Sequence, residues 1–273
     1  MDLYWDYNFN SFPESKKDKQ KQKIAEMKQN ITLEVCCGSV EDVLAAARGG
    51  ADRVELNSCL FHGGLTPSVG ELLVAKRMVD LPIMTMVRPR QGGFCYTQAE
   101  YATALADAEQ LLANGADGLV FGFLHEDGTL DKERSRALVR LAGNRTKVFH
   151  RAIDVAPDWR AMLADLIELG VDRVLTSGQA PDVYYGIDVI REMVEFAGGR
   201  IQILPGAGVN RKNIDRILEY TGCDQIHVAR FTQRVDPSTA NNRDIFYGGA
   251  LYPPEDRYDV IDGGFVAEMR EHC

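Results

Sequence analysis

The sequence has no apolar run approaching the ~20 residues that a membrane-crossing helix needs. Its opening, "MDLYWDYNFNSF", lacks the apolar central region of a secretory signal. Positive charge is in deficit: 31 Lys and Arg face 40 Asp and Glu, a formal net charge of -9. That balance speaks against a general binder of nucleic acid or of acidic membranes, and neither partner is expected. Cysteine is scarce, six in 273 residues. Without a secretory signal these read as free thiols or metal ligands, not as a disulfide framework. A cytoplasmic setting is expected, with the nucleus also open. What the chain does have is 45% hydrophobic and 26% charged residues, enough for a sizeable core in one large domain or two small ones.

Residues 1–30 differ from the rest. Their Lys/Gln/Glu-rich run 14–29 reads as a poorly ordered arm with marginal helix. From Ile31 short apolar runs alternate with amphipathic ones. The strand candidates are "ITLEVCC", "RVELN", "IMTMVRP", "GLVFGF", "KVFHR", "RVLTS", "IQILPG" and "QIHVA". Leu163, Leu166 and Ile167 share one helical face, as do Ile214, Ile217 and Leu218. Strand and helix in alternation imply a parallel sheet.

An internal repeat sharpens this. "GADRVEL" (50–56), "GADGLVF" (115–121), "GVDRVLT" (170–176) and "GCDQIHV" (222–228) each place a Gly at a helix stop, then Asp, then a strand. Gly suits the left-handed cap, and Asp can bond nearby amides in a tight turn. The motif precedes strands two, four, six and eight. Such a period favours an α/β fold of the TIM type, a (β/α)8 barrel, over a doubly wound open sheet. Residues 31–273 read as one barrel domain, with a turn-rich C-terminal extension over 231–273 that ends in a short helix.

Side chains of a strand alternate between its faces. Leu33, Val35 and Cys37 suit the apolar outer face, so Glu34 and Cys36 should point into the barrel. The same logic turns Glu55 and Asn57 inward on strand two. Only one of the two adjacent cysteines can face the interior, and Cys37 reads as a small core residue.

Polar inward residues then gather near the carboxyl ends of the strands: Glu34, Glu55, Arg88, His150 and His227, with Asp154, Thr176 and Ser177 in adjoining loops. Active sites of this fold are built at that rim. Glu34, Glu55, Arg88, His150 and Asp154 are the candidate catalytic or pocket residues. A structural ion-pair network closing the barrel top is the competing reading for Glu34, Glu55 and Arg88. "PGAGVNRKN" after strand seven offers Gly206, Ala207 and Gly208 as a backbone anion site, although Gly-rich turns also occur without one. Met84 and Met86 read as core filler with thioether donors as the alternative. His62, His125 and His272 carry no clear signal.

The segments "LEVCC", "GGADRVELN", "GGLTPSVG", "RPRQGGFCYT", "GLVFGFLHEDGTLD", "FHRAIDV", "RVLTSG" and "PGAGV" together resemble the CutC copper homeostasis protein family. No motif of the unrelated glycyl-radical choline lyase of the same short name is present. The resemblance implies a TIM-type barrel, a homo-oligomer (dimer or tetramer) and a cytosolic role in copper homeostasis through Cu(I). In animal members it implies two cysteine ligands, at the ends of strands one and two. The first falls on Cys36; the second falls on Asn57, an amide and a poor donor for soft Cu(I). Cys59, two residues on, is the substitute candidate. Cys36 with a His or Met donor, or no specific copper site, are the alternatives. Gly93 stands where many relatives carry Asp. Glu34, Glu55, Arg88, His150 and Asp154 match the family pattern, which leaves open a second function: an enzyme acting on a small anionic or phosphorylated metabolite at the barrel mouth.

Overall fold

A computed structural model describes residues 31–242, 244–248 and 255–273; the expected N-terminal arm, 1–30, lies outside the described residues. Eight parallel strands form a nearly closed barrel with helices between them. They are β1 (Thr32–Cys37), β2 (Arg53–Leu56), β3 (Ile83–Met86), β4 (Gly118–Phe121), β5 (Thr146–Phe149), β6 (Arg173–Thr176), β7 (Gln202–Pro205) and β8 (Gln225–Val228). The intervening helices are α1 (Val40–Arg48), α2 (Val69–Met78), α3 (Gln98–Ala113), α4 (Lys132–Ala142), α5 (Trp159–Leu169), α6 (Ile187–Ala197) and α7 (Ile214–Thr221). Ladder order runs β7-β6-β5-β4-β3-β2-β1-β8, and all eight expected strands are present. At the remaining seam, Gly206 lets the end of β7 approach β8: a Cβ there would sit 3.2 Å from the Cβ of His227.

The helices start where the sequence supplies caps. Ser68 with Glu71 and Thr97 with Glu100 form reciprocal capping boxes at α2 and α3. Gly170 and Gly222 close α5 and α7 in the left-handed region.

The repeated Asp acts at longer range than expected. Asp52 Oδ2 accepts from the amide of Leu33 at 2.7 Å, Asp117 Oδ2 from Ile83 at 2.8 Å, and Asp172 Oδ2 from Lys147 at 2.8 Å. Each aspartate thus holds the start of the preceding strand instead of its own turn. That gives the two-strand period a physical cause: one carboxylate staples each of the pairs β1–β2, β3–β4 and β5–β6. The fourth copy departs, since the Asp224 carboxylate accepts from the Gln225 side chain at 3.3 Å.

Leu33, Val35 and Cys37 are fully buried in the large core between strands and helices. Met84, Met86, Val120 and Val148 form a separate small cluster, as inward-pointing positions of β3, β4 and β5 should. The C-terminal extension is more ordered than a turn-rich excursion. β9 (Phe231–Val235) and β10 (Arg257–Ile261) form an antiparallel ribbon, followed by α8 (Gly263–Arg270). Buried Asp42 of α1 holds this segment by accepting from the amide of Ile261 at 2.7 Å.

Candidate functional site

Strand register decides which inward groups meet. Glu34 lies beside Arg53 of β2 and His227 of β8, and Cys36 lies beside Glu55. Glu34 is 1% exposed. It pairs with Arg53, accepts or shares a proton with His227 Nδ1 at 2.7 Å, and lies 3.8 Å from Arg173. Arg53 also donates to Gln225 at 2.5 Å, and Arg173 to Gln202 at 2.9 Å. Burial alone would raise the Glu34 pKa, but Arg53, His227 and Arg173 outweigh it and hold the carboxylate well below its usual range. Burial likewise opposes charge on His227, yet its bond to Glu34 and the charges of Glu55 and Glu34 raise its pKa. The ion-pair reading therefore describes Glu34, with Arg53, Arg173 and His227 as its partners. Glu34 does not line the cavity above it.

That cavity, about 460 Å³, opens at the carboxyl ends of the strands. Cys36, Glu55, Arg88, His150, Asp154 and His227 contribute to its wall. One donor atom from each of Cys36, Glu55 and His227 falls within 4.8 Å of the others. Asn57 braces this group: its amide donates to Glu55 Oε1 at 2.9 Å and to Cys36 Sγ at 3.5 Å. Burial, then the charge of Glu55, pushes the Cys36 thiol well above its usual pKa. Burial also raises the Glu55 carboxyl, against the pull of His227 and Asn57. Glu55 Oε2 has no hydrogen-bond partner.

Cys59 does not join this group. It is exposed, sits in the left-handed region at φ 48°, and lies outside the cavity lining. The donors brought to Cys36 are instead a carboxylate and an imidazole. Asp154 does line the cavity, but its oxygens are occupied. They accept from Thr176 Oγ1 at 2.5 Å, Ser177 Oγ at 2.9 Å, Arg151 Nε at 2.9 Å and the amides of Ser177 and Gln179. It organises the loop after β6. Of the expected anion turn, Ala207 and Gly208 reach the cavity wall, both at φ 76°; Gly206 packs against His227 and Leu175 instead.

Arg88 is 6% exposed and also departs from the ion-pair reading. It donates to the carbonyls of His62 at 3.0 Å, Gly64 at 2.9 Å and Gly92 at 2.8 Å, pinning the loops after β2 and β3. Its guanidinium lies 5.4 Å from the Phe94 ring, which in turn packs 4.7 Å from His150. Sequence reasoning missed Arg53, Arg173, Phe94 and Arg151. Alternation had a signal for Arg53, two residues before inward Glu55. Nothing local marked Phe94, whose place depends on a loop folding back.

His150 is held neutral, its pKa brought down to about 3 by burial and then by the charge of Arg88. An ordinary histidine takes up a proton near pH 6.5 when unfolded. Below that pH the unfolded chain binds a proton that the fold refuses, so stability falls as pH drops from about 6.5 toward 3. The loss from this group is expected to be on the order of 4 kcal/mol across that window. Urea denaturation at stepped pH should show a flatter acid limb in His150→Phe; identical limbs would refute it.

A sequence model of the CutC family matches residues 31–232. The chain belongs to the CutC family. A CutC family protein of Treponema denticola is 56% identical over 232 residues, covering 85% of this chain and 94% of the relative. A protein of Mus musculus named copper homeostasis protein cutC homolog is 42% identical over 230 residues, 84% of this chain and 85% of the relative. The crystal structure of a CutC protein from Streptococcus agalactiae superposes with a TM-score of 0.69 at 31% identity, covering 72% of this chain and 97% of that one. In this CutC chain, no helix among the described residues is long and apolar enough to cross a membrane.

Proposed function

We propose that this CutC chain serves copper homeostasis by holding a copper ion at the barrel mouth through Cys36, Glu55 and His227. The convergence of these three donors within 4.8 Å supports the reading above all. The donor chemistry suits copper: a thiol that becomes thiolate on binding, an imidazole and a carboxylate. His227 Nδ1 is taken by Glu34, which leaves Nε2 as the nitrogen for an ion and fixes the ring. The partnerless Glu55 Oε2 supplies a further lone pair. With Asn57 in place of a second thiol, Cu(I) would rest on one thiolate and one imidazole, a site for handling more than for permanent storage. A cytosolic setting fits, since thiols such as Cys36 stay reduced there; assembly as a dimer or tetramer belongs to the same reading.

The test is an anaerobic Cu(I) titration against a competing chelator. Wild type is expected to take up one copper per chain at this site. Cys36→Ser should lose it and Cys59→Ser should keep it. Equal uptake by wild type and Cys36→Ser would remove the assignment.

A further inference from the structure

The geometry points to a second occupant of the same mouth: a small hydroxylated organic oxyanion, carboxylate or phosphate, held on the wall formed by Arg88, His150 and the Ala207–Gly208 turn. This goes beyond the copper reading and does not depend on it. A cavity of about 460 Å³ is far larger than an ion requires and lies in the range that receives small molecules. Its apolar lining includes Met86, Phe94, Val155 and Leu175, surface that a bare ion would not use.

Three observations fix the sign of the occupant. Arg88 is buried and lines the cavity, yet among the described residues it makes no ion pair. Its guanidinium faces carbonyl dipoles and a ring, which leave its net charge uncompensated, and a buried charge without a counter-charge is costly. His150 is 4% exposed and neutral; its Nδ1 accepts from the amide of Ala152 at 3.2 Å. The proton therefore sits on Nε2, and that N–H has no acceptor in the fold. Finally, no hydrogen bond among the described residues uses the amides of Ala207 or Gly208, which border the cavity after β7. A buried cation, an orphaned donor and free amides around one space call for oxygen acceptors carrying negative charge. In the copper-free chain the partnerless Oε2 of buried Glu55 can accept from a hydroxyl of the ligand. His150 follows β5 and Cys36 belongs to β1, four strands apart around the barrel. The His150 end of the anion wall thus lies across the barrel from Cys36, while the Ala207–Gly208 turn adjoins His227 of β8.

The experiment uses the full chain stripped of copper by a chelator and titrates it calorimetrically with L-malate and, separately, glycerol 3-phosphate. At least one probe is expected to bind with a Kd of about 1 mM or tighter. His150→Phe should weaken it about tenfold, and Cys59→Ser, outside the cavity, should leave it unchanged. Malate alone would identify a carboxylate ligand and glycerol 3-phosphate alone a phosphate; either supports the inference. In parallel, the His150 Nε2–H correlation in the nitrogen-15 spectrum of wild type should move on saturation. No binding of either probe, equal affinity in His150→Phe, or an unmoved Nε2 resonance would each overturn it. Loss of copper uptake with anion binding intact would sink only the copper reading.

Discussion

Glu34→Gln is expected to destabilise the barrel by about 3–5 kcal/mol, a fall in Tm of roughly 10 °C for a chain of this size. The carboxylate is 1% exposed and is the counter-charge of Arg53, with Arg173 at 3.8 Å and His227 at 2.7 Å. Gln keeps the shape, so no cavity term enters; what is lost is the negative charge among buried cations. The cost of such a loss comes mainly from the partners left uncompensated, not from the attraction itself. A companion variant checks that logic. Glu34→Leu combined with Arg53→Met removes both charges and should cost less than the two single losses added together. Chemical denaturation reads both outcomes. A loss below about 1 kcal/mol for Glu34→Gln, or strict additivity in the pair, would show that Glu34 is not the centre of the buried network.

Arg88→Ala is expected to cost about 3 kcal/mol, from charge-assisted bonds to three loop carbonyls. The damage should be local. The loop after β2 and the loop after β3 meet on this one side chain, so both lose their shared anchor while the strands keep their ladders. Hydrogen exchange by mass spectrometry should show faster exchange across 58–66 and 88–96, with β5 to β8 unchanged. Arg88→Lys, which keeps the charge but not the fork of donors, should recover only part of the protection. Uniform protection in Arg88→Ala would mean that the loops hold themselves.

The contrast between these two residues shows where sequence reasoning ran short. Alternation placed both inside, and one shared ion-pair network was a natural expectation. Their heights differ. Glu34 sits beside Arg53 and His227 in the strand layer, whereas Arg88 lies beyond the end of β3 among loop carbonyls. Cys59 failed to reach Cys36 for a similar reason: its left-handed backbone at the start of a short 3-10 turn carries it to the surface. Asp154 lines the mouth, but its five donors come from its own turn, from the end of β6 and from the loop that follows. Loop conformation, which has no period, decided all three.

The sequence by itself determined the strands, their order of faces and the barrel class, because period two, helical faces and the Gly–Asp repeat are local signals that packing then obeys. It also determined that Cys36, and not Cys37, turns inward, since neighbours on a strand cannot share a face. Tertiary structure alone decided who neutralises whom. Glu34 meets His227 at a sequence separation of 193, and that contact exists only because β8 returns beside β1 in one register. Cys36, Glu55 and His227 come together by the same closure. A linear pattern fixes the side a residue takes, but the partner waiting there depends on how far the strands slide along one another before their hydrogen bonds engage.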